Sequence, residues 1–274
     1  MFNWMNRTVS NKNNSEYKMM TDFYKWVPLL KELVKKDIVL KYRKAHLGIL
    51  WILIEPLLSS MVYCIIFYRL YNMEDKSFIL YTLIGRLFYT IFRNSTSAAG
   101  NSIVKNQNLL RKYYLPKILI PLCAVISQFV FGLISLLDLF PIALIVGIRP
   151  SVKWGEVIVP LVIVFLLSLS IGYILSVIET FIRDVSYLWN TMLMFIMYAS
   201  AIFYLPEKIV RNGYQWVFDY NPLYKIIESA RTVLLYQGNM DLGALSYPFI
   251  FSVISLIIGI LLFYKMNKYF VFYL

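Results

Sequence analysis

Apolar runs of about twenty residues dominate this sequence. Six can be read, over roughly 47–69, 78–99, 118–140, 157–179, 186–205 and 245–264. An α-helix rises 1.5 Å per residue, so about twenty residues cover a hydrocarbon layer of ~30 Å. Lipid supplies no hydrogen-bond partners, so each run must close its own backbone bonds, and a helix does this alone. The expected fold is an all-α integral membrane protein with six transmembrane helices. The composition fits. The chain is 59% hydrophobic and 15% charged, well above the roughly 45–50% apolar usage of soluble domains. The third run continues to Ile148 past Pro141, which is expected to kink it or end it.

The 27 basic residues give an orientation. Ten lie in 1–46, four in 100–117, one in 180–185 and two after 264. The opposite loops hold two in 69–77, two in 148–156 and four in 206–243. Lys and Arg accumulate on the cytoplasmic side, so both termini are expected in the cytoplasm of a multi-pass protein. The net charge of +12 is thereby explained without nucleic acid as a partner.

Three segments follow. Residues 1–22 are polar and Asn/Lys-rich, without the apolar core of a secretory signal, and are expected to form a mobile cytoplasmic tail. Residues 23–45 carry Leu29, Leu30, Leu33 and Val34 on one helical face and Lys31, Glu32, Lys35 and Lys36 mostly on another, with Pro28 suited to a helix start. This is the pattern of a helix lying in the interface, or of an ordinary solvent-facing amphipathic helix. Residues 46–274 form the transmembrane domain, with an outer, re-entrant segment at 206–243 before the last span. In that segment Asn221-Pro222 reads as an N-cap followed by proline at the first helical position. Two short helices are expected there, the first holding Trp216 and Phe218.

Charge inside an apolar run is costly and marks candidate sites. The candidates are Glu55, Arg86, Arg93, Asp138 and Glu179. Arg86 and Arg93 are seven apart and are expected to share a helix face, with Tyr89 between them. Such a face suits an anionic or hydroxyl-rich ligand; the alternatives are snorkelling, or pairing within the bundle, for example with Glu55. Glu55 itself lies about two turns from His46, near the cytoplasmic mouth of any path. Glu179 and Arg183, at i and i+4, read as a helix-end ion pair. No P-loop, GxSxG or HExxH pattern occurs, and one histidine with two cysteines offers no metal site. No ATPase site or catalytic set is therefore expected in this chain.

Four segments carry a family resemblance: "KYRKAHLGILWILIEPLL" (41–58), "NSIVKNQNLLRKYYLPKILIPL" (101–122), "FIRDVSYLW" (181–189) and "NPLYKIIESAR" (221–231). In order and spacing they resemble the membrane (permease) subunits of type-2 ABC exporters, in particular those for O-antigen, capsule or teichoic acid polymers. The resemblance implies a homodimer that pairs with two copies of a cytoplasmic P-loop ATPase subunit, which would bind the ATP and Mg. It implies ATPase coupling through Asn106, Gln107, Asn108, Arg111 and Lys112, with Arg183 and Asp184 facing the same partner. It implies outer gate helices around Trp216, Asn221, Pro222 and Arg231. The path would be lined by spans one, two and five, with Trp51, Glu55, Arg86, Tyr89 and Arg93 as candidate lining residues. The cargo would be a lipid-linked glycan crossing the cytoplasmic membrane. Apart from the resemblance, the charges of Arg86 and Arg93 suit charge-assisted pairs with the phosphate of such a lipid carrier. Two positions depart from the pattern: Arg86 follows Gly85 where a small or aromatic residue is frequent, and "YASAIFYLPE" (198–207) lacks a Ser-Pro. Other readings are a type-2 exporter of a drug or simple lipid, a membrane-embedded lipid-sugar transferase using Asp184 and Glu179, and a membrane scaffold.

Overall fold

A computed structural model describes residues 23–42, 46–51, 53–55, 57–58, 61–62, 65, 77–113 and 115–270. The expected tail at 1–22 and most of the run at 47–69 lie outside these residues. Among the described residues there is no strand; those between Trp51 and Ile65 are helical. The elements are α1 (Phe23–Tyr42), α2 (Ser77–Gly100), α3 (Ser102–Lys105), α4 (Gln107–Lys112), α5 (Leu119–Ser135), α6 (Leu139–Val146), α7 (Ile158–Phe181), α8 (Val185–Ala199), α9 (Glu207–Arg211), α10 (Trp216–Asp219), α11 (Pro222–Leu234) and α12 (Leu242–Asn267). Three stretches are long and apolar enough to cross a membrane: Leu119–Val146, Val152–Phe181 and Leu242–Asn267. Val185–Ala199 is a shorter apolar helix.

The hub of the bundle is α2, the most polar of the long helices that follow α1. It buries sixteen of its 24 residues, whereas α12 buries six of 26. Lipid is as apolar as leucine and does not drive helices together, so polar surface is what gains from burial against protein. Accordingly Thr82, Ser95 and Thr96 of α2 are fully buried, and α12 turns Ile250, Ile254, Ile257, Ile258 and Leu261 outward. Where helices meet closely, small residues make the room. Ser255 of α12 bonds Ser170 of α7 at 3.0 Å, and a Cβ on Gly259 would stand 3.1 Å from the Ser170 carbonyl oxygen.

Two buried clusters define two ends. One holds Phe78, Tyr81, Leu139, Trp154, Leu161, Leu223, Ile227 and Leu245. The other holds Ile103, Ile120, Val177, Phe263 and Phe270, with Leu33, Leu109, Leu110 and Phe181 packed against it. The helices α2, α5, α7 and α12 each run between these ends, alternating in direction. Residues 100–117, the α7–α8 turn and the C-terminal end of α12 therefore share one end with Leu33 of α1.

The structure revises several expectations. The third run is broken by a single 3₁₀ turn at Leu136–Asp138 before α6 resumes. Pro141 has no N–H to give the Leu137 carbonyl, which removes one rung of the α-helical ladder there. The fifth run stops at Ala199 rather than 205, because Ala201 takes a left-handed backbone (φ 45°) that no helix continues. The segment at 206–243 contains three short helices, α9 to α11, rather than two. Its first expected helix does hold Trp216 and Phe218, as α10. The amphipathic α1 keeps its expected faces, with Lys31, Glu32, Lys35 and Lys36 exposed. It lies along α5 in the same direction, with Leu30, Val34 and Ile38 facing Ile126 across a shallow apolar groove.

Between α2 and α5 the approach is set by Gly132, whose added Cβ would collide with Cγ1 of the buried Ile91. Overpacking of this kind costs about 1–3 kcal/mol. Gly132→Ala should therefore lower the thermal midpoint of the detergent-solubilised protein, as read by intrinsic fluorescence, while the same change at solvent-open Gly155 should leave it unchanged.

Candidate functional site

Arg86 opens into a cleft of about 380 Å³ bounded by α1, the first span, α2 and α5. Its polar lining is Lys41 from the end of α1, Glu55 from the first span, Arg86, Thr90, Asn94 and Ser97 from α2, and Gln128 and Ser135 from α5. The Lys41 ammonium stands 4.1 Å from the centroid of the Phe131 ring, a cation–π contact that fixes the charge on the cleft wall. Arg86 is fourteen residues from the end of α2, or about 21 Å along the axis. Phe131 is twelve residues into α5 from the same end, about 18 Å by the same rise. The two cations thus sit at similar depth, near the middle of the helices, and the hydroxyl and amide groups of Ser97 and Asn94 line the way toward the α4 end. Among the described residues, two cations, one acid and a row of hydrogen-bonding groups suit a polar, anionic guest.

Of the residues expected along a path, Glu55 and Arg86 meet in this cleft. Tyr89 does not: it is buried and donates from its hydroxyl to the Leu193 carbonyl of α8 at 2.9 Å. Beside it Trp189 donates to the Thr96 hydroxyl at 3.2 Å, so this side of α2 is the seat of α8. Arg93 and Trp51 are exposed and outside the cleft lining. The single face expected for Arg86, Tyr89 and Arg93 is thus divided. A small angular offset per turn is enough to place Tyr89 against α8 and Arg86 against α5. Sequence reasoning overlooked Lys41 and Gln128. It also overlooked the stripe Arg86–Thr90–Asn94–Ser97, whose helical spacing of four, four and three was a readable signal.

The expected coupling residues lie on the α4 end. Asn106 joins α3 to α4 and donates to the Ser102 carbonyl at 2.9 Å. Leu109 and Leu110 pack inward, and Asn108, Arg111 and Lys112 are exposed, with Gln107 half-buried. Arg183 and Asp184 are exposed in the α7–α8 turn. The expected Glu179–Arg183 ion pair does not form. Glu179 is 2% exposed, lies over Gly100, and neither carboxyl oxygen has a hydrogen-bond partner. Its position in the helix turns it toward α2 rather than outward to Arg183.

At the other end Asn221 caps α11. Its side-chain oxygen accepts from the N–H groups of Leu223 (3.0 Å) and Tyr224 (3.2 Å), and Pro222 takes the first helical position. Its amide donates to the Ala199 carbonyl and the Ser200 hydroxyl, both at 3.1 Å. Trp216 is exposed. Arg231, expected among the outer gate helices, is fully buried. Its guanidinium donates to the carbonyls of Tyr81 (3.3 Å) and Ala201 (3.0 Å) and to Glu228 (3.3 Å). It also lies 3.4 Å from the centroid of the Tyr81 ring. The Tyr81 hydroxyl donates to the Ala201 and Tyr204 carbonyls. Gly85 supplies the space, since a Cβ there would stand 2.5 Å from the guanidinium. Nearby, burial and then the Glu228 charge push the Tyr224 hydroxyl up to about 12, so it stays protonated. No group of three His, Cys, Asp or Glu residues able to hold a metal occurs among the described residues.

A polar-lined cleft in an apolar helix bundle, with a basic surface at one end, is a transporter's geometry, and comparison with known proteins agrees. Residues 28–235 match the family described as ABC-2 type transporter. The chain belongs to the ABC-2 type transporter family. This ABC-2 chain is 26% identical over 242 residues to an O-antigen export system permease protein of Klebsiella pneumoniae, covering 87% of this chain and 92% of that one. It is 25% identical over 236 residues to the protein of the same description from Myxococcus xanthus, covering 85% and 84%. A polysialic acid transport protein of Escherichia coli is 22% identical over 235 residues, covering 84% and 90%.

Removing the buried guanidinium leaves carbonyl groups without their donors, at about 1–3 kcal/mol for each unsatisfied group. Arg231→Met should destabilise the ABC-2 chain by about 2–4 kcal/mol, read as a lower thermal midpoint in detergent. Tyr81→Phe, which removes one hydroxyl and keeps the ring, should cost about 1 kcal/mol.

Proposed function

We propose that this chain is the membrane permease of an exporter of a lipid-linked polysaccharide, driven by a separate ATPase subunit. The observation that carries the reading is its similarity, over more than four-fifths of its length, to permeases named for O-antigen export. A relative named for transport of an acidic polymer, polysialic acid, points to the same cargo class. In this reading six spans cross the cytoplasmic membrane with both termini in the cytoplasm, and two copies of the chain enclose one path. Two P-loop ATPase subunits, holding ATP and Mg, dock on the end that carries α4 and the α7–α8 turn. The outer helices α10 and α11 form the gate, around Trp216 and Asn221-Pro222.

The exposed face of α8 supports a path for sugar. Tyr187, Thr191, Met194 and Tyr198 are all exposed and fall at helical spacings of four, three and four, so they form one stripe. The outward face of α12 is apolar, mostly isoleucine and leucine with Phe249 and Phe251, which is what lipid requires. An aromatic and hydroxyl stripe suits a glycan, because ring faces hold C–H surfaces without fixing one register. In the dimer this stripe, with Arg93 and Trp51, lines the path. ATP-driven closure of the partner moves α1 and α4 and opens it.

Deletion of the chain should remove surface polysaccharide and leave lipid-linked glycan inside the cell, and undiminished surface polymer would refute the exporter reading. The chain should copurify with a P-loop ATPase at equal stoichiometry. Arg111→Glu with Lys112→Glu should weaken that association at least tenfold at low salt. Tyr187→Ala with Tyr198→Ala should slow export several-fold without changing the amount of assembled complex.

A further inference from the structure

We infer that the cleft between α1, α2 and α5 is a binding site for the phosphate-bearing head of a lipid. Lys41 and Arg86 hold it, and Asn94, Ser97 and Gln128 contact its polar remainder.

The argument begins with charge and depth. Among the described residues the cleft lining holds two cations, Lys41 and Arg86, and one acid, Glu55, so this part of the lining is net positive. Both cations lie about 18–21 Å from the α4 end by helical rise. A positive cleft at that depth is costly in hydrocarbon and gains from an anion brought into it. A guanidinium forks onto phosphate oxygens, and an ammonium adds a compact second charge. The volume, about 380 Å³, suits a head group and not a polymer. The polar atoms form a track rather than a point. Thr90, Asn94 and Ser97 continue from Arg86 along α2, with Gln128 on the facing helix. The Ser97 hydroxyl is buried and has no hydrogen-bond partner, so the cleft holds unused hydrogen-bonding capacity next to its charges. A groove lined by the apolar Leu30, Val34, Ile38, Val39 and Ile126, together with Lys31 and Lys35, lies along the same α1–α5 seam, placing apolar surface for an acyl or prenyl chain beside the head group. Arg93 is exposed and outside the lining, so the second cation is Lys41.

The shared chemistry is a lipid phosphate, whether from the bilayer or from a glycan carrier. Only the carrier arm of the test rests on the exporter reading. The full chain is placed in nanodiscs of phosphatidylcholine alone, with phosphatidylglycerol, or with a polyprenyl diphosphate, and bound lipid is counted by native mass spectrometry. Retention of either anionic lipid over phosphatidylcholine is expected, and Arg86→Gln with Lys41→Gln should reduce it at least tenfold. Arg86→Lys should restore part of it, separating charge from folding, and an unchanged thermal midpoint in the Gln variant checks that the bundle is intact. Preference for polyprenyl diphosphate assigns the site to the carrier, and equal retention of both assigns it to bilayer anions. Equal retention of anionic and neutral lipid by the wild type, or no loss in the Gln variant, overturns the inference. Either result leaves the surface-polysaccharide test of the exporter reading untouched.

Discussion

The buried guanidinium of Arg231 is the constraint around which one end of the molecule is arranged. An arginine keeps its charge at any accessible pH and carries five donors in a fixed plane, so it must be met by acceptors where it lies. Here the acceptors come from three places in the chain: the backbone of α2 at Tyr81, the turn after α8 at Ala201, and Glu228 one turn back on α11. Several otherwise odd choices follow. Gly85 must lack a side chain. Ala201 accepts a left-handed backbone, at about 1–2 kcal/mol for a residue with a Cβ, and its carbonyl receives both the Tyr81 hydroxyl and the guanidinium. The fifth apolar helix stops at Ala199 with this turn immediately after it.

That latch works because α2 is the central helix. The helix richest in hydroxyls and amides, α2, is surrounded by protein, as is the strongly apolar α7, while α12 turns mainly isoleucine, leucine and phenylalanine outward. The polar stripe of α2 lies against α5, whereas the aromatic and hydroxyl stripe of α8 stays exposed.

Much of this architecture was legible before any coordinates. Hydropathy located the long helices, because backbone hydrogen bonding in lipid leaves no other solution for a twenty-residue apolar run. The start of α11 was legible because Asn and Pro at that spacing are a local code, satisfied by the chain's own N–H groups. The faces of α1 were legible from period alone. What could not be read was which element each face meets. Arg86, Tyr89 and Arg93 differ by a fraction of a turn, and only the placement of α5 and α8 decides which of them enters a cleft. Glu179 looked paired because Arg183 is near in sequence, yet the tight contact at Gly100 draws it inward. The burial of Arg231 was not legible because two of its three acceptors are backbone carbonyls, which every residue has and no sequence pattern marks.

Helix α1 is a rigid rod with its two halves in different company. At Leu33 it packs against the same buried cluster as Leu109 and Leu110 beneath α4. Eight residues on, about 12 Å along the axis, its Lys41 lies over Phe131 in the wall of the cleft. The helix is unbroken between these points, so it cannot absorb a displacement locally. A tilt imposed at the α4 end would therefore be felt at Lys41, on the wall of the cleft.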